Sequence, residues 1–265
     1  MRMPAAMTTD IPGPETQSAA PPLARRLLAE LVGTAALVAV VVGSGIAAQR
    51  LSPGNVGLQL LENSTATALG LTVVILALGP VSGAHLNPVV SAADWLLGRR
   101  AGNGLSGRDT AAYCLAQTAG GIAGALVANA MYAVPAGLSS HHRTGVPLLL
   151  GEVVATAGLV ALIFALARTG RGALAAPAVG AYIGAAYWFT SSTSFANPAV
   201  TVARVFSDTF AGIAASSVPG FVLAQVVGAG AGLALVRLLY PDVSAAAADV
   251  VVPHPGAASR PKPTT

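Results

Sequence analysis

A few polar residues stand inside long apolar stretches of this chain, and their pairing suggests what they could do. Asn87-Pro88 and Asn197-Pro198 are the clearest pair. Asn is among the best helix N-cap residues and Pro is favoured at the first helical position, so each dipeptide reads as a helix start. The Asn amide would then be left to donate a hydrogen bond. Glu30 and Glu152 are carboxylates within apolar runs, where a charge is costly and therefore tends to be functional. Their polarity suits a proton relay. Gln117 and Gln225 add a third polar pair. No nucleophile–base set, phosphate loop or metal cluster is visible, which excludes an enzyme. Cys114 is the one cysteine, so an intrachain disulfide or a Cys-based zinc site is excluded, and it reads as a small packed hydrophobe.

The elements that must carry these residues are membrane helices. The chain has 265 residues, of which 54% are hydrophobic and 9% charged, with a mean hydropathy of +0.69. An ordinary soluble domain has roughly 25% charged residues, and a globule this poor in charge could not cover its surface. Charge-free runs cover 31–48, 63–93, 110–142, 153–167, 172–203 and 209–236. Crossing ~30 Å of hydrocarbon takes about 20 apolar residues. The runs predict six spans near 27–48, 62–79, 111–133, 147–167, 174–190 and 215–239. Two runs are too long for one span. A break is expected at Gly79-Pro80 in the first and at 190–194 in the second, each followed by a half-length segment. Residues 1–24 and 241–265 are rich in Pro and Ala and read as disordered tails around one membrane domain, 25–240. The N-terminal tail lacks the basic-then-apolar layout of a signal peptide.

Basic residues set the orientation. With an even number of spans, eleven of the fourteen Lys/Arg fall on the side of the termini: Arg2, Arg25, Arg26, Arg99, Arg100, Arg108, Arg168, Arg171, Arg237, Arg260 and Lys262. Arg50, Arg143 and Arg204 fall on the other. This places both termini in the cytoplasm, and the basic residues report topology rather than nucleic-acid binding.

The chain also repeats itself. Residues 28–38 resemble 150–160, both carrying Glu-x-x-x-Thr as Glu30/Thr34 and Glu152/Thr156. Asn87-Pro88-Val89 returns as Asn197-Pro198-Ala199, and Ala116-Gln117 as Ala224-Gln225. The repeats span about 25–133 and 147–240. Three spans per half force the second half to be inverted, and inverted repeats with broken helices place a pathway at the midplane. The half-helix from Pro88 has about ten residues, or about 15 Å, half a bilayer. A second half-helix of similar length enters from the opposite face, and the two meet start to start. Each start carries roughly +0.5 charge, which disfavours cations and suits a neutral hydroxylated molecule. The stretches 82–86 and 191–196 would line the pore with carbonyls, the one place where non-helical backbone is tolerated at membrane depth. One Asn-Pro alone would be an ordinary turn, but two at matching places in an inverted repeat would not.

Residues 82–89 (Ser-Gly-Ala-His-Leu-Asn-Pro-Val) and 195–199 (Phe-Ala-Asn-Pro-Ala) are similar to the two signature loops of the aquaporin / major intrinsic protein family. The resemblance covers roughly 25–240. It implies an all-α membrane protein of six transmembrane helices and two re-entrant half-helices in an inverted 3+3 repeat, with one pore per subunit and a homotetramer in the inner membrane. It implies no cofactor. Asn87 and Asn197 would be the pore-centre donors, and Pro88, Val89, Pro198 and Ala199 the half-helix starts. Glu30, Glu152 and His85 would hold the signature loops. The family usually has Arg directly after the second Asn-Pro-Ala, and Val200 stands there instead. Carried over by spacing, the other filter positions are Ser194, Ala185 and Thr67, or Asn63 in place of Thr67. That set is small and neutral. It implies a wide filter for glycerol, urea and metalloid acids such as arsenous acid, as in the arsenic-resistance-type subgroup that residues 195–213 resemble.

Arg204 is read as capping its half-helix and reaching water at the outer mouth, in preference to a displaced filter cation. Asp94, its counterpart, reads as structural, Glu62 as interfacial, and His141-His142 as a solvated pair. Gly120-x-x-x-Gly124 and Gly180-x-x-x-Gly184 fit close helix contacts. The leading expectation is a passive channel for small neutral solutes. A mainly water-conducting channel is the alternative within that class, and a coupled secondary transporter the alternative outside it.

Overall fold

The structure, a computed structural model, describes residues 21–99, 102–135 and 137–240. The expected tails lie outside the described residues except for 21–24, as do Arg2, Arg100, Arg260 and Lys262 of the charge count. The described chain is helical: α1 (Leu23–Leu51), α2 (Val56–Ser82), α3 (Pro88–Gly98), α4 (Gly107–Met131), α5 (Val146–Arg168), α6 (Ala175–Phe189), α7 (Pro198–Ala203) and α8 (Val218–Leu239). Six of these are long and apolar enough to cross a membrane, with α6 and α8 each extended at the start by a 3-10 turn. α3 and α7 are the two short ones.

Several boundaries differ from expectation for physical reasons. α1 begins at Leu23 and runs to Leu51, and α2 begins at Val56. Charge-free runs mark only the apolar middle of a helix, and Arg25, Arg26 and Arg50 are helical residues beyond it. Gly79-Pro80 is not a break, because Pro80 lies inside α2. So near the helix end, its missing N–H removes a single ladder bond, and its fixed φ is helical. The chain leaves the helix at Gly83 instead, whose φ of 90° only glycine adopts freely. α7 is shorter than its counterpart α3. After Ala203 the chain tightens into a 3-10 turn, Arg204–Phe206. There the Arg204 carbonyl accepts Ile213 N–H, and the Phe206 carbonyl accepts Asn129 Nδ2.

The inverted repeat governs the packing. α1 lies along α4 as α5 lies along α8, and α2 meets α6 between the halves. α7 packs on α4 and α8, and α3 packs on the same two helices. The close pairs depend on glycine. A Cβ at Gly120 or Gly124 of α4 would collide with the carbonyls of Leu31 and Ala35 of α1. In the other half, Gly228 and Gly232 of α8 would bring a Cβ within 2.5 Å of the carbonyls of Val153 and Ala157 of α5. This second pair went unnoticed in the sequence, although Gly228 and Gly232 stand 108 residues after Gly120 and Gly124, the same offset as Gln225 from Gln117. Gly180 and Gly184 likewise admit α2 at Ala68 and Thr72. Outward faces carry exposed Leu69, Val73, Leu76, Leu115, Leu223 and Val227, a surface suited to hydrocarbon rather than water.

Gly124→Val and Gly232→Val should each abolish a monodisperse peak in detergent gel filtration, since backbone blocks the new side chain. Gly230→Ala should elute as wild type, because its Cβ meets nothing within 4 Å.

Candidate functional site

Residues 83–87 and 190–197 are non-helical and run through the middle of this helical body. Their conformations match. Ala84 and Leu86 have φ of 44° and 52°, and Ser194 and Ala196, each 110 positions later, have 51° and 49°. Left-handed backbone at a residue with a Cβ costs roughly 1–2 kcal/mol, so the surroundings must impose it. Two carboxylates do so. Glu30 Oε1 accepts His85 N–H at 3.0 Å and Ser82 Oγ at 2.7 Å, while Oε2 accepts Leu86 N–H at 2.7 Å and Gln117 Nε2 at 2.7 Å. Glu152 Oε1 accepts Phe195 N–H at 2.8 Å, while Oε2 accepts Ala196 N–H at 2.8 Å and Gln225 Nε2 at 2.7 Å. Both carboxylates are fully buried.

The network continues to residues that sequence reasoning missed. Gln117 Nε2 also donates to Ser91 Oγ, and Gln225 Nε2 to Thr201 Oγ1. Both hydroxyls donate back to the carbonyl four residues earlier, Asn87 O and Asn197 O. The signal was present as Asn-Pro-x-x-Ser and Asn-Pro-x-x-Thr, since position i+4 faces the same way as the cap.

The two loops then clasp one another. Asn87 Nδ2 donates to Ala196 O at 2.8 Å, and Asn197 Nδ2 donates to Leu86 O at 2.7 Å. Each Asn Oδ1 meanwhile caps its own helix, at Val89 N for Asn87 and at Ala199 N and Val200 N for Asn197. Pro88 and Pro198 take the first helical position, as read from the sequence. An amide nitrogen carries two hydrogens, so each Asn retains one donor. Both residues line an open cavity. The Leu86 and Ala196 carbonyls, expected to face a pore, are taken up by the clasp. His85 also lines the cavity. Its Nδ1 lies 3.1 Å from Ser91 Oγ, and its ring meets Tyr113 edge-on.

The expected constriction is only partly assembled. Thr67, Ser194 and Val200 line the cavity. Asn63 does not: its Nδ2 donates to Val41 O and Ser44 Oγ, joining α2 to α1. Ala185 is exposed on the outer face of α6, so the count of twelve back from Asn197 is two residues too long here. Tyr187 occupies the wall, with Ile183 and Val179 on the same helical face, and its hydroxyl lies 3.3 Å from Thr67 Oγ1. A tyrosine in step with an i, i+4 apolar stripe was the available signal. Ser194 contributes little polarity, because its Oγ is buried without a partner.

Arg204 departs most from expectation. It does not reach water at an outer mouth: it is 3% exposed and lines the same cavity. Its Nε donates to Ala211 O, and its guanidinium carbon lies 3.5 Å from the centroid of the Phe195 ring. Asp94 accepts Leu105 N–H at 2.7 Å, a structural bond. His141 and His142 are exposed, and the first lies 3.8 Å from Asp208. Ser140 N–H and Oγ bond Asp208 and hold its carboxyl below the ordinary carboxylate range. Among the described residues, no group of three His, Cys, Asp or Glu could hold a metal.

A family model described as Major intrinsic protein matches residues 17–195. The chain is 50% identical over 218 residues to the aquaglyceroporin AqpS of Rhizobium meliloti (strain 1021), covering 82% of this chain and 91% of that protein. It is 31% identical over 193 residues to the glycerol uptake facilitator protein of Pseudomonas aeruginosa, covering 64% and 66% of the two chains. The X-ray structure of the aquaglyceroporin from Plasmodium falciparum matches with a TM-score of 0.63 at 19% identity, covering 84% of this chain and 99% of that one. At that identity the likeness concerns the fold.

Removing either loop anchor should be costly. A buried donor left without its acceptor costs about 1–3 kcal/mol, and Glu152→Ala strands two backbone N–H groups at once. The thermal midpoint in detergent should fall by about 5 °C or more for Glu152→Ala and for Glu30→Ala. Unchanged midpoints would mean that something else holds the loops.

Proposed function

The chain belongs to the major intrinsic protein family, and from that premise we propose that it is a passive transmembrane channel for small neutral solutes and water. Glycerol, urea and metalloid acids such as arsenous acid are the solutes we assign to it. The observation that carries this reading is the reciprocal clasp, Asn87 to Ala196 O and Asn197 to Leu86 O, set in the wall of an open cavity. It leaves two amide N–H donors, one from each half, beside otherwise apolar side chains such as Leu71, Ile75, Val90, Leu159 and Ile163. A hydroxylated neutral molecule can accept from those donors while its carbon face slides on the apolar wall. The relatives named as an aquaglyceroporin and a glycerol uptake facilitator support the same solute class.

A coupled transporter would need an ion site, and both candidate couplers are occupied. Glu30 and Glu152 spend their oxygens on the loops and stand outside the cavity wall. Val200 in place of the usual Arg supports passage of solutes larger than water. The Thr67–Tyr187 pair favours the second reading, a mainly water-conducting channel, because it brings a large side chain into the wall. We further assign a homotetramer in the inner membrane with cytoplasmic termini. Among described residues, Arg25, Arg26, Arg99, Arg108, Arg168, Arg171 and Arg237 support that topology against Arg50, Arg143 and Arg204. The channel domain is taken as 25–240.

Stopped-flow light scattering on proteoliposomes tests the reading with water, glycerol, urea and arsenous acid. Wild type should pass glycerol about tenfold or more above empty vesicles. Val200→Arg should lower glycerol flux about tenfold, equivalent to ~1.4 kcal/mol of added barrier, while water flux changes less. Water flux alone in wild type would establish the narrower channel.

A further inference from the structure

The usual filter Arg is absent, yet the cavity wall holds a cation. We propose that Arg204, one turn beyond Val200, is the charge that excludes cations from this pore and so determines its selectivity for neutral solutes; the proposal rests on the channel reading above. A helical side chain leans toward the N-terminus of its helix, and residues four apart share a face. From the turn that continues α7, Arg204 therefore leans back over Val200 toward Asn197.

Its orientation is fixed from two directions. Nε donates to the Ala211 carbonyl, and the guanidinium lies on the Phe195 ring. That ring is itself held, with its backbone N–H on Glu152, Phe221 5.1 Å away edge-on and Arg143 over it at 5.1 Å. The terminal guanidinium nitrogens have no hydrogen-bond acceptor in the protein, and they are not among the unpartnered buried atoms sealed from solvent. They open on the cavity. No Asp or Glu lines that cavity, and among the described residues no carboxylate pairs with Arg204. A full positive charge thus stands in the wall uncompensated. By Coulomb's law, a permeant cation passing at about 5 Å with an effective dielectric of about 20 is opposed on the order of a hundredfold. Glycerol carries no charge for it to oppose.

The test uses the full chain in proteoliposomes and reads two fluxes on the same vesicles: glycerol by light scattering, and potassium and proton leak by ion-sensitive dyes. The quantity compared is the ratio of cation to glycerol permeability. Arg204→Lys should keep the wild-type ratio. Arg204→Gln should raise it about tenfold or more, less than the full hundredfold because the half-helix ends still repel cations. Restoring a cation one turn inward, in Val200→Arg/Arg204→Gln, should bring the cation leak itself back down from its Arg204→Gln level, read apart from the ratio because Val200→Arg also slows glycerol.

A ratio in Arg204→Gln equal to wild type, with glycerol still passing, would overturn the proposal. Should Arg204→Gln pass no glycerol, Arg204→Met is read in the same way; loss of glycerol flux in both would make Arg204 a folding residue and overturn the proposal too. Failure of the channel reading is separate, since wild type itself would then pass nothing above empty vesicles.

Discussion

Backbone that is neither helix nor sheet cannot stand unpaired in an apolar slab, and this one constraint organises the molecule. Residues 83–87 and 190–197 break the helical pattern at mid-body. Each loop needs acceptors for successive N–H groups, and left-handed backbone at Ala84 and Leu86 in one and at Ser194 and Ala196 in the other accompanies them. A carboxylate is the one side chain with two strong acceptor atoms and no donor to misplace. Glu30 and Glu152 each serve two consecutive N–H groups and are steadied by Gln117 and Gln225. A buried charge is acceptable here because it is met by several donors at hydrogen-bond distance. The hydroxyls of Ser91 and Thr201 link each Gln to the Asn carbonyl of its half. Carboxylate, amide, hydroxyl and cap form one chain of hydrogen bonds in each half. The Asn side chains join the two chains.

The helices have to come close for that network to form. Gln117 reaches Glu30 from α4 to α1, and Gln225 reaches Glu152 from α8 to α5. These are the helix pairs in which glycine lies against the partner's backbone carbonyls: Gly120 and Gly124 in one, Gly228 and Gly232 in the other. In a membrane no hydrophobic force presses helices together, so close van der Waals approach must supply the association. The small residues therefore stabilise the bundle and also set the distance at which a glutamine spans to a glutamate.

What could be read in the sequence followed from period and repetition. Charge-free runs found six spans because a bilayer demands length and apolarity together, and the recurrence of Glu, Asn-Pro and Gln in one order gave the inverted halves. Asn87 and Asn197 were legible because N-cap and N1 preferences are local. The wall of the cavity was less so. Counting back through a loop points to Ala185, but loop length is not a period, and the residue of α6 that lines the cavity nearest the loop is Tyr187. Pro80 reads as a break, but a proline near a helix end removes only one bond, and the positive φ of Gly83 ends the helix. The rule that charges snorkel assigns Arg204 to water. Tertiary context overrode that rule, because Phe195 and the Ala211 carbonyl receive the guanidinium inside.

The same accounting gives the sign of the pathway. Every acidic group near the cavity is turned away from it: Glu30 and Glu152 toward the loop N–H groups, and Asp94 toward Leu105. The cavity wall holds the two Asn residues of the clasp, the Thr67 and Tyr187 hydroxyl pair, and Arg204, and no carboxylate. Pairing Glu30 and Glu152 with loop backbone thus builds the loops and keeps both carboxylates out of the cavity wall at once.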